Sequence, residues 1–151
     1  FKWIGLIKIL FPKAKVIHSN RNPIDSAFSI YRNLFDTPGM GWAYNQDDLV
    51  KYVHLYNDLM SLWQKKLGKF IYEYHYERLV TNQIDETKKI LEFCNLEFED
   101  KCINYTENKT TVSTVSISQA RQKIYKSSIN LSNKYLDYFP FLNKIIKKKA
   151  P

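Results

Sequence analysis

Apolar and polar positions along this chain alternate between two periods. Phe1, Ile4, Ile7 and Leu10 or Phe11 recur at helical spacing until Pro12 stops the run. "KAKVIHSNR" then carries a short strand signal from Ala14 to Ser19, with Val16 and Ile17 apolar. Asn22 is placed to cap a helix that has Pro23 at its first position and Asp25 in its first turn. Ile24, Ala27, Phe28, Tyr31 and Leu34 form the stripe expected to be buried. After a loop with Pro38, Gly39 and Gly41, the Asn45 cap and the acids Asp47 and Asp48 open a longer helix. It runs through Leu49, Val53, Tyr56, Met60 and Trp63 to Gly68.

Lys69 to Tyr76 returns to period two. Phe70, Tyr72, Tyr74 and Tyr76 share one face, and Ile71, Glu73 and His75 share the other, which predicts a strand. Thr81 or Asn82 caps a third helix with Ile84, Leu91 and Cys94 inward. Asn104 to Ser128 is polar and rich in Ser and Thr, and short helical pieces follow near Tyr135 and from Phe141 to Lys148. The order α-β-α-α-β-α predicts an α/β layered fold with a mainly parallel sheet. The chain opens on Phe1 inside a helical pattern, so it is expected to be an N-terminally truncated fragment.

Composition narrows the partners. With 44% hydrophobic and 15% aromatic residues among 151, the chain has material for a globular core. A net charge of +8 favours anionic partners without choosing among nucleotides, polyanions and a membrane surface. Two cysteines, Cys94 and Cys102, exclude a disulfide framework, and no Cys/His cluster predicts a metal. Residues 1–12 carry Lys2 and Lys8 and are too short for a membrane span, so no transmembrane segment is expected.

"RNPIDSAFS" is the stretch with chemistry. A helix start after a strand gathers unpaired N–H groups and the positive end of the helix dipole, and ligands collect at that edge of an open sheet. Arg21 stands just before the cap, and Ser29 stands eight residues on, roughly 10 Å along the helix. A planar guanidinium matches phosphate oxygens two at a time. On spacing alone, a solvated arginine and a small surface serine remain the more economical reading.

Four pieces in order, "FPKAKVIHSNRNPIDSAFSIY", "WAYNQDDLVKYVHLYNDLMSLW", "YHYERLVTNQIDETKKILEFCNLEFED" and "STVSISQARQKIYKSS", change that balance. Together they resemble the C-terminal part of sulfotransferases that use 3'-phosphoadenosine-5'-phosphosulfate (PAPS). They are nearest to the bacterial tetratricopeptide-repeat-linked enzymes and their protein-tyrosine sulfotransferase relatives. The resemblance implies a P-loop-type layered fold, of which residues 1–151 are the C-terminal portion of one sulfotransferase domain. It implies that Arg21 and Ser29 hold the 3'-phosphate of PAPS, or of the product PAP. It also places Tyr76 near the adenine, although a core aromatic continuing Tyr72 and Tyr74 is an equal alternative. "STVSISQARQKIYKSS" is similar to the loop that closes over the nucleotide. Ser116 there is the candidate catalytic residue beside the transferring sulfuryl group, with Gln119, Arg121 and Tyr125 as neighbouring nucleotide contacts.

The chain departs from the family in two places. None of its four glycines sits in a 5'-phosphosulfate loop, and the family's general base lies upstream, so this piece is expected to be inactive alone. In "SSINLSNKY", Leu131 and Ser132 stand where relatives carry a basic residue and a tryptophan, leaving Lys134 as a possible substitute. The implied partners are the nucleotide and a hydroxyl-bearing acceptor (a protein tyrosine, a sugar or a small molecule), with no metal and no specific nucleic acid. A cytoplasmic location is the expectation for a bacterial protein. Two other readings compete. One is a basic module using "NKIIKKKAP" on nucleic acid or another polyanion, and the other is a different P-loop-fold nucleotide enzyme.

Overall fold

The computed structural model describes residues 1–104 and 124–146. Helix α1 (Ile4–Leu10) leads into strand β1 (Val16–Asn20), followed by α2 (Pro23–Arg32) and the long α3 (Gln46–Leu67). Strand β2 (Ile71–His75), α4 (Tyr76–Thr81) and α5 (Gln83–Cys94) come next, and α6 (Asn143–Ile146) ends the described chain. The strands pair in parallel, from Val16 opposite Ile71 to Asn20 opposite His75. A parallel pair needs a long crossover, here supplied by α2 and α3.

The expected fold class is not what the chain forms. The described residues are mostly helical, and their one sheet has two strands of five residues each. A layered P-loop-type fold with a dominant parallel sheet is therefore corrected. Only two segments carry a strand signal, and the residues between them have capped, amphipathic helical patterns. The strand expected over Lys69–Tyr76 is trimmed at both ends. Phe70 belongs to a 3-10 turn that continues α3, and Tyr76 is the first residue of α4. Leu34 and Ile84, both expected inward, are 82% and 49% exposed, because α2 stops at Arg32 and Ile84 turns outward in the first turn of α5.

Caps explain the helix starts. The Asn22 side chain accepts from the N–H groups of Ile24 (2.9 Å) and Asp25 (3.3 Å), with Pro23 where no donor is needed. Asn45 accepts from the Asp48 N–H at 3.0 Å. Asp47 and Asp48 open α3, and Lys65 and Lys66 close it, each sign at the end of the helix dipole that favours it. This helix serves two cores. Leu49, Val50 and Val53 join Phe28 of α2 and Leu142 and Ile145 near the C-terminus. Met60 joins Ile4, Phe70 and Ile71 at the other end. There α1 lies so close that a Cβ on Gly5 would stand 2.8 Å from the Trp63 ring, whose Nε1 donates to the Phe1 carbonyl at 2.9 Å.

Both faces of the sheet are covered. On one, Tyr72 stacks on Phe93 of α5 with ring centroids 5.3 Å apart. On the other, Glu73 clasps the strands together: its carboxylate lies 2.7 Å from His18 Nδ1, directly opposite in register, and accepts from Asn20 Nδ2 at 3.0 Å. His18 Nε2 meets the Tyr56 hydroxyl of α3. Burial pushes the Glu73 carboxyl up, but hydrogen bonds from Asn20, His18 and Gln64 and the histidine's charge outweigh it and hold the group below its ordinary range.

Besides its apolar packing on Phe28, the segment from residue 124 onward is fastened to α2 by one buried polar side chain. Asp25, 2% exposed, accepts from the Asn130 N–H (2.7 Å), the Ser132 N–H (2.8 Å) and the Ser132 hydroxyl (2.6 Å). Asp25→Ala strands three donors, so we expect a loss of about 3 kcal/mol, roughly 6–12 °C in Tm. A thermal shift below about 2 °C would show the clasp to be ornamental. Glu73 gives a pH test. Its folded pKa is depressed, so its stabilisation is full above the unfolded value and fades as pH falls through the folded one. The stability gap between wild type and Glu73→Gln, followed by urea unfolding, should narrow below about pH 4. A gap that widens there contradicts the assignment.

Candidate functional site

Parallel register decides which residues meet. Asn20 and His75 end their strands opposite each other, so the next residues, Arg21 and Tyr76, are neighbours at the carboxyl edge. The Arg21 guanidinium lies 4.8 Å from the centroid of the Tyr76 ring, within cation–π range. The adjoining pair is locked as well, the Asn22 N–H donating to Glu77 Oε1 at 2.9 Å. The two helix starts, α2 and α4, are thereby held side by side.

A cavity of about 360 Å³ opens at this edge. Arg21 and Tyr76 form part of its wall, α2 and its C-cap contribute Ser29, Arg32 and Asn33, and the returning segment contributes Tyr125 and Ser128. Arg21 Nη2 donates to the Ser128 carbonyl at 2.8 Å, and the Tyr76 hydroxyl lies 3.0 Å from Ser128 Oγ. Arg21 Nε is buried and has no hydrogen-bond partner among the described residues. Asn33 Nδ2 donates back to the Ser29 carbonyl at 2.8 Å, leaving the Ser29 hydroxyl uncommitted by that contact. Asp25 also borders the cavity, but its carboxylate already accepts three hydrogen bonds. Two guanidinium groups against one engaged carboxylate make the space suited to an anion.

Of the residues singled out in the sequence, Arg21, Ser29, Tyr76 and Tyr125 border this one cavity. Ser116, Gln119 and Arg121 lie outside the described residues. Lys134 is exposed and is not part of the wall, whereas Leu131 is, and Ser132 is buried on Asp25. The sequence reading missed Ser128 and the second role of Asp25. No local spacing signals either, since their partners lie between 52 and 107 residues away in the chain. It also missed the chain of contacts from Glu73 through His18 to Tyr56. Of the other histidines, His54 Nε2 lies 3.2 Å from the Ile145 carbonyl, and His75 is exposed.

Among the described residues no group of three His, Cys, Asp or Glu side chains is arranged to hold a metal ion. No described helix is long and apolar enough to cross a membrane. Cys94 and Cys102 are not bridged.

Comparison with known proteins gives the site its context. A protein of Aquifex aeolicus (strain VF5), described only as an uncharacterized protein, is 37% identical over 153 residues. The alignment takes in 98% of this chain and 20% of the relative, so the chain spans about a fifth of that relative's length. The sequence profile of the sulfotransferase family matches residues 1–100, a span that includes Arg21, Ser29 and Tyr76 and ends before Ser116 and Tyr125. Since the match takes in well over half of the residues, this chain belongs to the sulfotransferase family.

Proposed function

We propose that this chain forms the nucleotide 3'-phosphate side of an enzyme that moves a sulfuryl group from PAPS to a hydroxyl acceptor. The observation that carries the reading is Arg21 Nε, buried and without a hydrogen-bond partner among the described residues, on a side chain that lines the cavity. A buried, unsatisfied donor costs about 1–3 kcal/mol, a cost that a bound phosphate oxygen removes. Ser29 and Arg32 border the same space, a hydroxyl and a second guanidinium that would add to the several donors a doubly charged phosphate needs outside water. Tyr76 offers a ring face to a base, already paired on one side with the Arg21 guanidinium.

PAPS, when bound, supplies the activated sulfuryl group. The residues described here grip the far end of that nucleotide and fix its position, work that dominates such in-line transfers. Ser116, Gln119 and Arg121 belong to the proposal as contacts nearer the reacting end. Membership of the tetratricopeptide-repeat-linked branch also belongs to it, as does the choice among protein tyrosine, sugar and small-molecule acceptors.

A polyanion-binding reading draws on a different region. Lys8, Lys13, Lys15, Lys65, Lys66 and Lys69 line an open groove at the amino ends of the strands, the opposite edge from Arg21. Two of these lysines are already engaged, Lys8 with the Pro12 carbonyl and Lys15 with the Phe93 carbonyl. Lysines on flexible stems suit diffuse attraction better than fixed recognition. The lysines at 147–149 lie outside the described residues.

Titration calorimetry with adenosine 3',5'-bisphosphate separates the two. Binding should weaken roughly 10- to 100-fold in Arg21→Ala and by a smaller factor, about threefold to tenfold, in Ser29→Ala. An unchanged affinity in Arg21→Ala, with tight salt-dependent binding of random duplex DNA, would move the function to the lysine groove. The 151 residues by themselves should bind the nucleotide and transfer nothing. Radiolabelled sulfate appearing on a phenol or sugar acceptor in the presence of this chain alone would overturn that expectation.

A further inference from the structure

Ser128 touches both residues on which the nucleotide reading depends. Its carbonyl accepts from Arg21 Nη2 at 2.8 Å, and its hydroxyl lies 3.0 Å from that of Tyr76. The sheet does not put it there, since Ser128 follows Tyr76 by 52 residues and belongs to no strand. A short run of backbone does. The Ile129 N–H donates to the Lys126 carbonyl at 3.0 Å, closing a turn that contains Ser128. Asn130 comes next in the left-handed backbone (φ 56°) that asparagine tolerates, and its N–H donates to Asp25 Oδ2 at 2.7 Å. Ser132 adds its N–H and its hydroxyl to the other oxygen of the same carboxylate.

Asp25 and Ser29 are four residues apart on α2 and so share a face. One helix thus presents Ser29 to the cavity and, a turn earlier, anchors the wall that carries Ser128. A guanidinium has five N–H donors, so the bond to the Ser128 carbonyl orients the planar fork of Arg21 and leaves others, Nε among them, for an anion. The Tyr76 ring is held twice, at its face by that guanidinium and at its tip by Ser128 Oγ. Groups fixed beforehand lose less freedom when a ligand arrives, and the difference appears as affinity.

We propose that Ser128 tunes the nucleotide site, its carbonyl fixing Arg21 for the 3'-phosphate and its hydroxyl fixing Tyr76 for the base, and that Asp25 is the positioning residue that holds Ser128 in place. The proposal rests on the nucleotide reading for the ligand and adds the residues that set its selectivity. The two walls are then linked energetically. Whatever the Asp25 clasp contributes to binding, bound nucleotide returns as a firmer hold on the clasp.

The test compares adenosine 3',5'-bisphosphate with adenosine 5'-phosphate by ligand-observed NMR, below the melting temperature of every variant. The wild type should prefer the bisphosphate. Asp25→Asn keeps the side chain's shape and replaces one accepting oxygen by a donor, so the preference should fall about threefold to tenfold. Ser132→Ala deletes one of the three bonds, should lower the same ratio by a smaller factor, and stands in if Asp25→Asn does not fold. Ser128→Ala keeps the carbonyl and frees Tyr76, so it should weaken both nucleotides equally, by about twofold to fivefold. Tyr76→Phe should do the same, and the double variant should lose no more than either single one. An Asp25 that served stability alone would shift Tm and leave the ratio as it is. An unchanged ratio in Asp25→Asn, or in Ser132→Ala standing in for it, overturns the proposal, as do Ser128→Ala and Tyr76→Phe losses that multiply. A wild type that binds neither nucleotide, or both equally, removes the 3'-phosphate reading and this proposal with it. A wild-type preference that survives in the variants removes this proposal alone.

Discussion

Five residues of β1 lying parallel and in register with five of β2 fix the positions of nearly every side chain with chemistry. Because both strands point the same way, both end at one edge, and the chain must start a helix from each end. Arg21 and Tyr76 are consequences of that geometry, as is the bond from the Asn22 N–H to Glu77. A slip of one residue would turn Glu73 away from His18 and separate the guanidinium from the ring. The Glu73 clasp is therefore best understood as a register lock, since it joins side chains that are direct partners across the pair.

The two cores divide the labour differently. The one around Met60 and Ile71 holds α1 to the sheet through Trp63, where only a glycine at position 5 lets the helix approach. The one around Phe28 and Leu142 brings the C-terminal residues back onto α2, and Asp25 fixes their alignment there. Apolar packing supplies attraction without direction, while the carboxylate with three aimed donors supplies direction. The cavity walls need both, because Ser128 must arrive within reach of Arg21 and Tyr76 together.

Local signals were legible where their causes were local. The Asn22 and Asn45 caps, Pro23 at a helix start, the acids opening α3 and the two strand segments all stand where the sequence places them, within a residue or two. Arg21 and Ser29 were singled out by their place around a helix start, Tyr76 and Tyr125 through resemblance, and all four border one cavity. The fold class was misjudged because a count of elements says nothing about how many strands a sheet finally holds. Leu34 kept the helical period but lies past the C-cap Asn33, whose extended backbone ends the stripe. Tyr76 kept the strand alternation yet turned into a helix, because period two says which face a residue takes and not where pairing stops. Asp25 was read only as an acid in the first turn of its helix, and the approach of Asn130 and Ser132 shows its larger part.

That approach has a consequence for the order of events on the ribosome. Asp25 is separated by 105 positions from Asn130 and by 107 from Ser132, so its partners are synthesised well after it. At about 5–20 residues per second, β1 and α2 emerge roughly 5–20 s before the segment that completes their wall. Throughout that interval the carboxylate has only water to accept from, and the Arg21 guanidinium lacks the Ser128 carbonyl. A nascent chain can thus own both strands and every helix through α5 while the cavity still lacks the wall that Tyr125 and Ser128 supply, so that wall closes only after all of those elements have been made.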